Sequence, residues 1–287
     1  MRKNQFLALT AISLSVLIAS CEKQEQVSPS RILAANVVVT PPVAPSPLPT
    51  GGYAFNVNFN GQLLLNNITY GAASGVLTNS IPAFPGKDSL RLYNGAYANV
   101  MPGNGTLGLS IAGADPVLFN RLRNLEAGKS YTAVGLHLTP FMNVVLMEDN
   151  LASPAPGKAH IRLVHAIPQE LVASLPRRDT VDLTFTGGLA TNPLINSAIF
   201  ANRRFADNLS TSTFNGTLTQ FVAVDTGRYS LGLRVAGTPG VSPATGLLGG
   251  WQTLRLDNGR IYTLIVRVDL PGLIVGRPAG LTVIRHN

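Results

Sequence analysis

Two tandem β-sandwiches, immunoglobulin-like or transthyretin-like, following a cleaved signal peptide, are the fold that this sequence predicts. Three observations predict it. Short apolar/polar alternations are punctuated by 28 Gly and 20 Pro, with no sustained 3.6-residue periodicity. A long internal repeat divides the chain into two copies. The first twenty residues have the layout of an export leader.

The leader has a basic start (Arg2, Lys3), an almost wholly apolar stretch from Phe6 to Ile18, and small residues Ala19 and Ser20 before Cys21. Its apolar part is too short to span a bilayer comfortably. "LIAS" followed by Cys21 resembles the lipobox of bacterial lipoproteins, which implies cleavage before Cys21 and acylation of its sulfur. Cys21 is thus the expected lipidation site and the membrane, through acyl chains, the first expected partner. Each buried CH₂ contributes roughly 0.8 kcal/mol, so several chains attach firmly where one is marginal. Glu22 and Glu25, close behind the cysteine, lean towards delivery to the outer membrane, with the body facing the periplasm or the cell surface.

With no other cysteine, the exported part forms no internal disulfide and no cysteine-based zinc site. Loss of residues 1–20 removes Arg2 and Lys3 from 22 basic residues and nothing from 14 acidic ones, leaving a net charge of +6. The bases are scattered rather than clustered, which suits solvated surface or contact with an envelope polysaccharide or protein and argues against nucleic acid.

Residues 21–32 carry the lipidated cysteine and a polar tether. "LGLSIAG" at 107–113 recurs as "LGLRVAG" at 231–237, "LEAGKSYT" at 125–132 as "LDNGRIYT" at 256–263, and "YAFNVNFNG" ending at Gly61 as "DTVDLTFTG" ending at Gly187. Module 1 is therefore expected over 33–152 and module 2 over 157–287, as separate sandwiches joined near 150–158, each large enough for its own core. Aligning "ANVVV" at 35–39 with "AHIRL" at 159–163 makes both first strands and turns the Pro-rich stretch 40–52 into a loop equivalent to 168–178. Tyr53, Phe55, Val57 and Phe59 alternate with small or polar residues, as do Val181, Leu183 and Phe185, which reads as half-buried strands. "IYTLIVRV" at 261–268 reads as a central strand.

At "HIRLVHAIP" the chain resembles a family of bacterial exported proteins classed as a domain of unknown function, whose modules begin with a pattern like R-V-V-H-A-S-P-D-A-P followed by V-D-V-Y-V-N-G. Arg162, Val164, His165, Ala166 and Pro168 match the first part, and Val181, Asp182 and Gly187 the second. The resemblance spans residues 31–287 and implies tandem β-sandwiches on envelope lipoproteins, without catalytic residues. Ile167 and Gln169 depart from the pattern. In the first copy the same alignment puts Val38 at the place of Arg162, Asn56 at that of Asp182, and Thr40 or Pro41 near that of His165.

No catalytic constellation emerges. The chain lacks a G-x-S-x-G elbow, a P-loop and a dinucleotide fingerprint, and its 14 acids are few for paired-carboxylate chemistry. His137, His160, His165 and His286 have no metal-ligand spacing, and no metal or other cofactor is expected. Strand alternation sets Arg162 and Asp182 on outer faces, as a structural pair. Trp251, after "GLLGG", is the candidate ligand contact, because sugar rings stack on exposed aromatics. The function expected is a non-enzymatic envelope lipoprotein for binding or display. The alternative is a glycan-binding accessory lipoprotein of a polysaccharide uptake system, with a platform around Trp251, Tyr229 or Tyr262.

Overall fold

The structure is a computed structural model that describes residues 27–38, 54–81, 89–113, 117–138, 141–167, 180–189, 192–204, 220–237, 247–269 and 279–287. These residues are all β, without a helix. The first copy holds β1 (Ser30–Val37), β2 (Phe55–Phe59), β3 (Gln62–Ile68), β4 (Gly75–Ile81), β5 (Leu90–Gly95), β6 (Ala98–Val100), β7 (Gly103–Ile111), β8 (Val117–Leu125), β9 (Ser130–Leu138) and β10 (Phe141–Glu148). The second holds β11 (Lys158–Ala166), β12 (Thr180–Leu189), β13 (Asn192–Arg204), β14 (Val222–Asp225), β15 (Gly227–Val235), β16 (Leu247–Leu256), β17 (Ile261–Val268) and β18 (Ala279–Arg285).

Each copy is built from the same two sheets. Sheet order β10-β9-β1-β6 in the first copy is repeated as β14-β11-β17-β18, read from the other end, and β3-β2-β7-β8 is repeated as β13-β12-β15-β16. In both copies the first strand runs parallel to the penultimate one, with Ile32 opposite Tyr131 and Ile161 opposite Tyr262. The equivalence reaches single hydrogen bonds. The Glu126 N–H donates to the Tyr131 hydroxyl at 3.0 Å and the Asp257 N–H to the Tyr262 hydroxyl at 3.1 Å. Asn56 Oδ1 accepts from the Asn67 N–H at 2.9 Å, and Asp182 Oδ1 from the Asn202 N–H at 2.7 Å. Asn67 and Asn202 have φ of 50° and 53°, the left-handed region that Asn enters more readily than other side chains, beside irregularities in the β2–β3 and β12–β13 ladders.

That register corrects the alignment of the first strands. Ile32 is the counterpart of Ile161, so Leu33, not Val38, stands where the second copy has Arg162, and Asn36 stands where it has His165. The loops 40–52 and 168–178, with Thr40, Pro41, Pro168 and Gln169, lie outside the described residues.

The copies are not separate bodies. Strand β5 pairs in parallel with β18, from Leu90 opposite Leu281 to Asn94 opposite Arg285, and β4 continues the ladder. The β4–β5 hairpin of the first copy thereby extends a sheet of the second to six strands. Strand β17 is buried along its whole length, as its continuous apolar run predicts, and β1 is buried except at Arg31. Their second faces are covered by the other copy: Val164, Ala166, Ile265 and Ile284 of the second copy belong to the same apolar cluster as Leu33, Ala35 and Val134 of the first. The molecule is a stack of sheets in which the two inner ones, equivalent to each other, meet face to face.

Candidate functional site

The positions singled out by sequence do not converge. Cys21, Glu22 and Glu25 lie outside the described residues. The expected Arg162–Asp182 pair does not form, because β11 and β12 belong to different sheets and Arg162 is fully buried against the other copy. Asp182 accepts from the backbone N–H of Asn202 at 2.7 Å and of Gly237 at 3.1 Å. The residue directly opposite it is Arg234, and the first copy has Asn56 opposite Ser110 there. Because Asn56 makes the equivalent bond to Asn67, Asp182→Asn should change unfolding free energy by less than about 0.5 kcal/mol, and Asp182→Ala should cost about 1 kcal/mol, measured by denaturant titration.

His165 is buried, and its Nδ1 faces the Ile167 N–H at 3.4 Å. In the first copy Asn36 Oδ1 accepts from the Val38 N–H at 3.0 Å, so this position closes the strand end in both copies. Trp251, Tyr229 and Tyr262 are each no more than 2% exposed. Trp251 is a core residue whose indole N–H donates to the Ser89 carbonyl of the first copy at 3.0 Å. The aromatic platform expected for sugar stacking is therefore packed away inside the fold.

What does converge is a ring of polar side chains between the copies. Arg162 on β11 donates from Nε to Thr263 Oγ1 on β17 at 2.8 Å, from Nη1 to the Glu148 carbonyl at 3.2 Å, and from Nη2 to Asp149 Oδ1. Asp149 Oδ2 accepts from the Tyr97 hydroxyl at 2.7 Å and from Thr132 Oγ1 at 2.8 Å. His286 completes the circuit, with Nδ1 2.6 Å from the Tyr97 oxygen and Nε2 2.6 Å from Thr263 Oγ1. Arg162 also lies over the Phe221 ring, 4.7 Å from its centroid.

A carboxylate accepts only, so the Tyr97 hydroxyl donates to Asp149, and its oxygen receives the His286 Nδ1–H. Nε2 then carries the lone pair that accepts the Thr263 hydroxyl proton, while the Thr263 oxygen receives the Arg162 Nε–H. Arg162 donates at both ends of the chain of bonds, Asp149 accepts from both sides, and between them the donors run one way from Thr263 through His286 and Tyr97 to Asp149, with the imidazole neutral. Burial pushes the His286 imidazole down from 6.5 to about 4, against the opposing pull of Asp149. Burial foremost, reinforced by the Asp149 charge, raises Tyr97 well above its ordinary range, so the phenol keeps its proton.

The ring is made of equivalent positions brought together. The Asp149 N–H donates to the Ser130 carbonyl and the His286 N–H to the Ile261 carbonyl, which face the same place in their sheets. Thr132 bonds Asp149 as Thr263 bonds His286. Tyr97 and Phe221 are likewise counterparts, one residue before Ala98 and Val222, which pair with Ile32 and Ile161. The asymmetric member is Arg162, whose counterpart is Leu33.

A second junction repeats the device. Arg267, whose counterpart is Leu136, donates to Thr282 Oγ1 at 3.0 Å, to the Val268 carbonyl at 3.2 Å and to Ser89 Oγ at 3.1 Å. Ser89 Oγ donates to Asp269 at 2.8 Å, and Thr282 to the Gly71 carbonyl at 2.8 Å. Gly71, at φ 71°, leaves no room for a side chain: a Cβ there would lie 2.9 Å from Arg267 Nε. Burial raises the Tyr70 phenol, which donates to the Val268 carbonyl, to about 12. Among the described residues, no group of three or more His, Cys, Asp or Glu is placed to hold a metal ion.

No family model and no curated protein matches the chain. A solved structure similar to it is that of a candidate cell adhesion protein from Bacteroides fragilis NCTC 9343, 9% identical, with 91% of this chain and 98% of that chain covered at a TM-score of 0.21. A likeness of that degree carries no functional argument.

Proposed function

We propose that this chain is a membrane-anchored, non-enzymatic envelope lipoprotein, held by acyl chains on Cys21 and delivered to the outer membrane, whose two-copy β body serves in binding or display. The observation that carries the reading is the use to which the convergent polar groups are put. Arg162, Asp149, Tyr97, His286 and Thr263 are spent on one another, at a junction that makes one stiff body of two sandwiches. A reactive site needs such groups turned towards a substrate. Burial of Trp251, Tyr229 and Tyr262 counts against the glycan-binding alternative, which requires an exposed aromatic surface. The resemblance of the "HIRLVHAIP" segment to tandem modules on envelope lipoproteins points the same way.

The anchor is tested in cells. An alkyne-bearing fatty acid should label the protein, and Cys21→Ala should abolish the label; equal labelling of the variant would show that the anchor lies elsewhere. The body is tested by screening the purified protein against glycans, envelope fractions and matrix proteins, alongside generic ester and glycoside substrates. Saturable binding without turnover is expected, and turnover of any substrate would overturn the reading.

A further inference from the structure

We propose that the ring of Arg162, Thr263, His286, Tyr97 and Asp149 is a proton-sensitive lock, which holds the two copies together at neutral pH and lets their interface loosen in mild acid. The argument begins with direction. The circuit closes only when His286 Nε2 accepts the Thr263 proton, and Thr263 must at the same time receive the Arg162 Nε–H, 2.8 Å away. A proton on Nε2 sets two donors against the Thr263 oxygen and leaves its own hydroxyl proton without an acceptor in the ring. It also places a second cation beside the Arg162 guanidinium, in a site where His286 is 7% exposed and Arg162 is fully buried.

The surroundings offer the new charge little relief. Asp149, beyond β10, is the one acid of the ring among the described residues, and it already accepts from Arg162, Tyr97 and Thr132. Arg162 from β11 faces the imidazole through Thr263, and Arg31 from β1 lies over the Tyr97 ring, 5.3 Å from its centroid. Phe221, before β14, sets its ring edge-on to His286. The Asp149 carboxylate is thus offset in part by the Arg162 guanidinium, and burial outweighs both.

The sign follows from linkage. His286 is held near 4 when the interface is closed and returns to about 6.5 when it opens, so between these values the open form binds a proton that the closed form refuses. Closed-state stability is complete above pH 6.5 and falls as the pH drops towards 4, where the closed-to-open ratio is lower by on the order of 100-fold.

Trp251, the single tryptophan, is a built-in reporter of the interface between the copies, because its N–H is bonded to Ser89 at the second junction. With the full chain in detergent, acrylamide quenching of Trp251 should rise between pH 7 and pH 4.5 while far-UV circular dichroism keeps its β signal. His286→Gln, which keeps a neutral donor and acceptor, should flatten that rise. Quenching independent of pH in the wild type, or the same rise in His286→Gln, overturns the lock. If that variant fails to fold, an NMR titration of the wild type decides: a His286 imidazole that titrates well below 6.5 supports the lock, and four imidazoles that all protonate near 6.5 overturn it.

Discussion

Arg162→Ala is expected to lower the unfolding free energy by about 3–5 kcal/mol, because removing one partner of a buried ion pair strands the other. The Asp149 carboxylate would keep the Tyr97 and Thr132 hydroxyls and lose the cation it is paired with. The Glu148 carbonyl and the Thr263 oxygen would each lose a donor, and Phe221 would lose the guanidinium over its ring. The first copy shows what the position tolerates otherwise, since Leu33 packs there among apolar neighbours. Arg162→Leu combined with Asp149→Asn should accordingly recover much of the loss, although Asp149→Asn alone leaves the guanidinium unpaired and is costly. Equilibrium denaturation of the wild type, Arg162→Leu, Asp149→Asn and the double variant gives the coupling energy directly. A loss below about 1 kcal/mol for Arg162→Ala would mean that the ring does not hold the junction.

The strands and the repeat were legible in the sequence because both depend on local pattern. Phe55, Val57 and Phe59, like Val181, Leu183 and Phe185, alternate as half-buried strands must, and the structure buries all six. The junction was not legible, for a physical reason. Alternation put Arg162 on the face opposite Ile161 and Leu163, which is correct, and charge then argued that this face meets water. A second copy covers it instead. The signal was present in β1, where Ile32, Leu33, Ala34, Ala35 and Val37 are apolar on both faces, as only a strand covered on both sides requires. The aligned stretch "ANVVV" hid it by matching the apolar end of β1 to the start of β11. Asp149 and His286 carried no pattern at all: each follows the last strand of its copy, and only the meeting of the two inner sheets brings them together.

Trp251→Ala is the second large effect expected, a loss of about 3–5 kcal/mol, in the range for truncating a buried aromatic to Ala. Trp251 lies on β16 opposite Leu231 and is 2% exposed. It shares its core with Leu90, a residue of the first copy. Loss of packing should dominate over loss of the hydrogen bond. The Ser89 carbonyl also accepts from the Leu281 N–H at 2.8 Å and is not left unsatisfied when the indole goes. Trp251→Phe keeps most of the apolar surface and gives up only the N–H, so it should cost about 1–2 kcal/mol. The gap between the two variants, read from denaturation midpoints at equal slope, measures how far the side chain acts as a wedge between the copies. A sugar-stacking Trp251 predicts the reverse pattern: Trp251→Ala would unfold like the wild type and lose glycan binding, because a side chain free to stack on a ligand contributes little to the core.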